Sequence, residues 1–309
     1  MRVAIFTDET GWHTRQLQAA LRERGAVGRC VDLADCLVDT HRGRQGLVIP
    51  GFGRELPAAA VVRGIAGGSF EQVTKRLSVL HALRDLGVPV YNDARAIERS
   101  VDKAMTSWLL HAAGVPTPPT WATESLALAR RIVMREAAAG HALVLKPLFG
   151  SQGKGLHRVG LVDGRLRALP RLGKSFGRLV YLQRWLPPTQ VPGFDWRVLV
   201  VGGRAVAAMR RVSRHWIHNI AQGASVAAAE LTPLLAQTAA AAARALQMDY
   251  AGVDLMPFGA GVQVIEVNGI AAWQGLQQVT SFNIARVLVD DLFDRRLSVA
   301  QEPLRACRT

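Results

Sequence analysis

Over the first 95 residues of this 309-residue chain, short apolar runs alternate with stretches of helical length, and few folds accept that alternation. Val3–Phe6 is apolar, and Thr14–Arg24 follows as a helical stretch that stops at Gly25. Val27–Leu33 reads as a second strand and Val61-Val62-Arg63-Gly64 as a third. Phe70–Leu86 reads as a helix ended by Gly87, with Pro89 just beyond. Strands separated by helices argue for a small parallel α/β layer. The segment from Val38 to Leu56, rich in Gly and Arg, reads as a loop with weak strand content.

The pattern changes after about residue 95. Ser100 reads as an N-cap, Val101–Ala113 as a helix, and Gly114-Val-Pro-Thr-Pro-Pro as its end. Glu124–Ala139 is a second helix and Ala142–Pro147 a strand. Phe149–Gly155 is a glycine-rich loop, and Leu156–Val159 and Leu179–Leu186 are further strands. After Pro187-Pro188, Trp196–Val201 and Ala205–Met209 flank Gly202-Gly203 as a β-hairpin. Leu231–Met248 reads as an Ala-rich helix capped by Thr232, with Pro233 at its first position, a placement helices tolerate. Tyr250–Pro257 and Val262–Val267 form a second hairpin, and Phe282–Arg296 closes as a helix. The expectation is an α/β unit over 1–95 followed by two α+β units, 96–186 and 187–309.

Composition narrows the class of ligand. With 38 Lys+Arg against 24 Asp+Glu the net charge is +14, which draws nucleic acid, a membrane surface or a small polyanion. Only five of the cations are lysine, and enrichment in Arg and Ala also follows from coding in a GC-rich genome. The 49% hydrophobic content excludes disorder. Cys30, Cys36 and Cys307 are too few and too oddly spaced for a disulfide framework or a zinc site. No run approaches the roughly 18 apolar residues of a membrane span, and the opening apolar stretch is too short for a signal core. A soluble protein of a reducing, cytoplasmic compartment is expected.

Three constellations carry chemistry. The loop Lys146-Pro-Leu-Phe-Gly150-Ser-Gln-Gly153-Lys-Gly155 follows an apolar strand, and its glycines let backbone N–H groups approach phosphate oxygens while Lys146 and Lys154 add charge. It is neither a Walker A loop nor a dinucleotide fingerprint, and alone it also reads as a turn with solvated lysines. Glu266 and Asn268 leave one face of a strand, and a hairpin centred on Gly259-Ala260 puts Asp254 across from Ile265–Glu266. Three oxygen donors without His or Cys suit Mg²⁺; the plainer reading is a solvent-facing strand edge. Arg197 and Arg211 lie on two strands paired about Gly202-Gly203, where a guanidinium cluster would clamp phosphate or stabilise an oxyanion. Surface arginines explain that pair equally well.

Taken in order, these motifs resemble the ATP-grasp ligases, specifically the RimK-type branch that adds glutamate. The resemblance runs from about Glu98 to Leu276. It is carried by Asp102-Lys103, Val144-Leu-Lys146-Pro, the glycine-rich loop, Gln183-Arg-Trp-Leu186, Asp195-Trp-Arg197, Ala208-Met-Arg-Arg211, Asn219, Ala251-Gly-Val-Asp254 and Glu266-Val-Asn268. It implies a three-part fold with ATP between two α+β units. Lys103 and Lys146 would then touch phosphates, with Gly150, Ser151, Gln152, Gly153 and Gly155 as a lid. Gln183, Arg184, Trp185 and Leu186 would form the hinge beside adenine, and Asp195 and Asn219 would contact the nucleotide. Asp254, Glu266 and Asn268 would hold one or two Mg²⁺ ions, or Mn²⁺ in their place, with Arg197 and Arg211 beside the reacting carboxyl.

The chain departs from the family pattern twice. Arg184 stands where the hinge usually carries Glu, and Trp216-Ile-His-Asn219 lacks the Arg usual two residues before the Asn in members that modify ribosomal protein. That segment and Asn268-Gly-Ile-Ala-Ala-Trp273 look more like members that add glutamate to tetrahydromethanopterin-type cofactors. The implied activity is ATP-dependent joining of L-glutamate to a carboxylate of a small polyanionic acceptor through an acyl phosphate. Neither nucleic acid nor membrane is implied as a partner, and homo-oligomers are common among relatives. The alternatives are a ligase acting on a protein tail and a non-catalytic, basic nucleic-acid-binding protein on the same scaffold.

Overall fold

The structure is a computed structural model that describes residues 1–41, 45–150 and 152–298; Ser151 and Cys307 lie outside them. The first sheet is built as the alternation predicts. Its elements are β1 (Arg2–Phe6), α1 (Trp12–Glu23), β2 (Val27–Val31), a short ribbon of β3 (Leu37–Val38) and β4 (Leu47–Val48), β5 (Ala59–Val62), α2 (Phe70–Asp85) and β6 (Val90–Tyr91). The four main strands pair in parallel in the order β2-β1-β5-β6. Ser69 starts α2 with a capping box, its Oγ accepting from Gln72 N while the Gln72 amide accepts from Ser69 N. Cys30 and Cys36 are free thiols.

The next stretch departs from expectation at its start. Two helices, α3 (Ala94–Val101) and α4 (Lys103–Ala112), replace the single one, and the cap is Asp102 rather than Ser100. Asp102 accepts from Ala104 N and Met105 N, whereas Ser100 Oγ donates back to Ile97 O inside α3. A carboxylate that takes two of the free N–H groups of a helix start outbids a hydroxyl already used. Then come β7 (Thr120–Thr123), α5 (Leu126–Ala138), β8 (Ala142–Lys146), β9 (His157–Val162), β10 (Arg165–Arg167) and β11 (Val180–Arg184), an antiparallel sheet in the order β10-β9-β8-β11-β7.

The third sheet holds both expected hairpins. Its strands are β12 (Gly193–Val201), β13 (Arg204–Ser213), β14 (Ser225–Ala228), β15 (Tyr250–Phe258) and β16 (Gly261–Asn268), in the order β14-β13-β12-β15-β16. Helix α6 (Pro233–Ala245), capped by Thr232, covers one face through Leu235, Ala239, Ala242 and Ala243, packed with Val253, Val264 and Val267. The chain then forms α7 (Gln274–Gln277) and α8 (Ile284–Asp291). The closing helix is not continuous, because α8 passes into π-turns over Leu292–Leu297. Among the described residues no helix is long and apolar enough to cross a membrane.

The cores are distributed unevenly. Leu17, Leu21 and Val61 of the first unit share one apolar cluster with Leu199, Met209, Trp273 and Leu288 of the third. The second sheet keeps its own cluster, with Ile132, Leu143, Val159 and Leu182. Asn92, fully buried after β6, joins first to third by hydrogen bonds. Its Nδ2 donates to Tyr250 O and Gly269 O at 2.7 Å each, and its Oδ1 accepts from Asp249 N at 2.6 Å and Tyr250 N at 3.0 Å.

Candidate active site

The third sheet has one polar face, and its register decides which side chains share it. Residues directly opposite across an antiparallel pair point to the same side. Asp195 lies opposite Arg211, Arg197 opposite Asp254, Asp254 opposite Glu266, and Gly252 opposite Asn268. Four adjacent strands therefore raise their polar residues on the face away from α6. Val262 and Val264 point to the core, and simple alternation would send Glu266 after them. Instead the register shifts by one at Ile265, so that Ile265 and Glu266 together oppose Asp254 and both reach the cleft.

Asp254 is 1% exposed and is fully engaged. Arg197 donates from Nε and Nη2 to its two oxygens at 2.7 Å each, and Arg211 Nη2 lies 3.0 Å from Oδ2. Arg211 also forks onto Asp195 at 2.7 and 2.6 Å. Burial disfavours the charged form of Asp254, but Arg197 and then Arg211 outweigh it and hold the carboxyl below its ordinary range. Burial dominates at Asp195, which is pushed up to about 6 against the pull of Arg211. His218, buried 3.8 Å from Asp195 Oδ2, is drawn down to about 4 by burial and by Arg211, and so stands neutral at neutral pH.

Glu266 is more open, with 29% of its side chain exposed, and it faces Lys103 Nζ at 3.8 Å. Lys103 also donates to Leu148 O at 3.3 Å and Gly150 O at 2.8 Å, which ties the start of α4 to the glycine-rich loop. Lys146, at the end of β8, donates to Gln183 Oε1 at 2.6 Å across the pairing of β8 with β11. Burial pulls its ammonium down to about 8, partly offset by Glu266 and reinforced by Lys103. The loop itself leans on the third unit. Gly153 has φ +70°, and a Cβ there would meet Asn219 Oδ1 and Ile217 Cγ2 at 2.7 Å each, so only glycine permits the approach. Gln222 Nε2 donates to Gln152 O at 3.1 Å.

Between these elements lies a narrow cleft that holds about 110 Å³ of water-accessible space. Its walls combine Lys103, Lys146, Lys154, Gly150 and Gly153 with apolar Val144, Leu186, Met256 and Ile265. Of the site residues read from the sequence, Gly155, Arg197 and Asn268 do not line it, and Ser151 is outside the described residues. The rest do. Arg197 stands behind Asp254, Asn268 donates its amide to Gly252 O at 3.3 Å, and Gly155 packs on Pro147. Arg184 lines the cleft but turns its guanidinium to Glu136 at 2.7 Å.

His218, Met256 and Ile265 are wall residues to which the sequence gave no site role. Met256 was within reach, being two residues from Asp254 on one strand. His218 and Ile265 depend on a loop path and a bulge that no local rule gives. Among the described residues no cluster of three or more His, Cys, Asp or Glu could hold a metal. The candidate set is two carboxylates and an amide, all oxygen donors, beside two lysines. That fits a hard cation that completes its shell with phosphate and water, and does not fit zinc.

Comparison with known proteins agrees with this geometry. A family model described as the RimK-like ATP-grasp domain matches residues 100–292, and one described as the RimK PreATP-grasp domain matches residues 1–97. The tetrahydromethanopterin:alpha-L-glutamate ligase of Methanococcus maripaludis is 30% identical over 299 residues, covering 94% of this chain and 97% of that protein. A probable alpha-L-glutamate ligase of Hydrogenovibrio crunogenus is 29% identical over 300 residues, 94% of each. Among solved structures, the ATP-grasp ligase PsnB with its minimal precursor, Mg and ADP superposes with a TM-score of 0.70. It is 21% identical and covers 96% of this chain and 98% of that one, a likeness of fold.

Proposed function

The chain belongs to the RimK-like ATP-grasp family and is an ATP-dependent ligase, and on that premise we propose that it joins L-glutamate, through an amide bond, to a carboxylate of a small polyanionic acceptor. A tetrahydromethanopterin-type pterin is the acceptor class that the name of the Methanococcus maripaludis relative favours. The observation that carries the reading is the facing of Asp254 and Glu266 against Lys103 and Lys146 across one cleft, with a glycine-rich loop closing over it. Mg²⁺ held by Asp254 and Glu266, with Asn268 nearby, would neutralise phosphate charge there.

The chain's own residues account for the remaining steps. Lys103 and Lys146 draw the phosphates into the cleft, and the loop from Gly150 to Gly155 excludes water, which would otherwise hydrolyse an activated carboxylate. The acceptor carboxylate takes the terminal phosphoryl group, ADP leaves, and the amine of glutamate then displaces phosphate and gives up a proton. Arg211 lines the cleft and is the arginine within reach of a bound group; Arg197 acts through Asp254.

Incubation of the protein with ATP, Mg²⁺ and L-glutamate is expected to release ADP only when an acceptor is added, and mass spectrometry should find that acceptor extended by glutamyl residues. A reduced pterin cofactor, a furan cofactor and a ribosomal extract are the arms of the experiment. Modification of ribosomal protein alone would replace the acceptor class, and AMP with pyrophosphate would overturn the route. Nucleotide binding carries its own pH signature. Lys146 loses its proton above about 8 in the free protein, and phosphate binding restores it. Affinity for ADP is therefore expected to fall about tenfold per pH unit above that point, with proton uptake visible by calorimetry in two buffers. A dissociation constant that is flat from pH 8 to 10 contradicts this role for Lys146.

A further inference from the structure

Two walls of the cleft are held from behind by one side chain. Arg158 on β9 lies outside the cleft, with its guanidinium 4.8 Å from the ring centroid of Trp185 and 5.6 Å from that of Trp216. Both tryptophans line the cleft. They also line a second cavity with about 150 Å³ of water-accessible space, whose wall includes Arg158. Trp185 follows β11 on the way to the third sheet, and Trp216 lies on the connection from β13 to β14. A guanidinium between two indole rings is attracted to both faces, so the contact bridges two sheets whose apolar clusters are separate. Arg158 is only 16% exposed; its Nη2 also lies 3.2 Å from the carboxylate of Asp163, a largely solvated partner that contributes little to holding it.

The chain beyond Trp216 shows what the bridge controls. Ile217, His218 and Asn219 enter the cleft directly after it. This segment meets the second unit at the tip of the glycine-rich loop, through Gly153 and Gln152, and at Arg158. We propose that Arg158 is a positioning residue for the nucleotide: clasped between Trp185 and Trp216, it holds the 216–219 segment against the cleft and slows nucleotide exchange. The proposal rests on the cleft being the nucleotide site.

The test compares the full chain with Arg158→Ala, Arg158→Lys, Trp216→Ala and Asp163→Ala, using a fluorescent ADP analogue with Mg²⁺. Arg158→Ala and Trp216→Ala are expected to weaken binding about tenfold, mostly through faster release. Combining them should cost no more than either alone, because they break one contact. Arg158→Lys keeps the cation and should stay within about threefold of the parent. Asp163→Ala should bind like the parent. In turnover, KM for ATP should rise with kcat unchanged or higher, whereas a merely structural defect lowers kcat and thermal stability. If the parent binds ADP while Arg158→Ala binds and releases it identically, or if Asp163→Ala loses as much, the clasp is wrong. A parent that binds no nucleotide overturns the reading of the cleft instead.

Discussion

Asp254→Asn is expected to lower turnover sharply and to destabilise the fold, while Glu266→Gln lowers turnover alone. Both carboxylates face the same cleft, but their surroundings differ. Asp254 is 1% exposed and balances Arg197 and Arg211. Its neutral isostere leaves two guanidinium groups short of a buried counter-charge, and breaking such a pair costs about 3–5 kcal/mol. Asp195 still answers Arg211, which places the loss toward the lower end. Glu266 is partly solvated and meets Lys103 only at 3.8 Å, a separation at which an exposed pair contributes about 0–1 kcal/mol. Each substitution is expected to lower kcat on the order of 10²–10³-fold, the scale for removing one electrostatic group from a reacting centre. Urea unfolding and ADP release on the same preparations decide it, and equal unfolding midpoints for the two variants would contradict the buried network.

Asn92→Ala is expected to cost about 4 kcal/mol or more, although Asn92 lies outside the cleft. Its side chain satisfies two backbone carbonyls and two backbone N–H groups of the third unit. All four lose their partner together in a site closed to water, at about 1 kcal/mol or more each. Those groups belong to Asp249, Tyr250 and Gly269, at the ends of the two strands that carry Asp254 and Glu266. Denaturant unfolding followed by circular dichroism measures the loss. A change below about 1 kcal/mol would mean that the junction finds other partners.

The contrast between these two sites marks what the sequence makes readable. Asp254 and Glu266 could be paired from hairpin arithmetic, because strand partners close in sequence share one turn. Thr232 and Pro233 announced α6 because capping chemistry is local. Asn92 gave no signal, since every partner it holds is more than 150 residues away. The strands β7 and β14 escaped notice for another reason: each is a four-residue strand at a sheet edge, too short to show a period. Arg197 and Arg211 were legible as neighbours on a hairpin, but not as the pair that neutralises Asp254, because that contact needs β15 beside β12. The resemblance to known ligases supplied the roles, and the register gives a physical reason why Asp195, Arg197, Arg211, Asp254 and Glu266 share one face.

The single unmatched position at Ile265 has a consequence for how β16 tolerates change in length. On its turn side the even-numbered Val262 and Val264 belong to the hydrophobic interior, yet past Ile265 the even-numbered Glu266 and Asn268 belong to the opposite side and the odd Val267 takes their place inside. The strand thus inverts its parity midway. Removing Ile265 itself therefore restores a uniform rhythm without displacing the site's carboxylates, since Val264 and Val267 stay inside and Glu266 stays across from Asp254; pairing the full-length strand without the bulge is what would drive the Glu266 carboxylate into the aliphatic layer under α6.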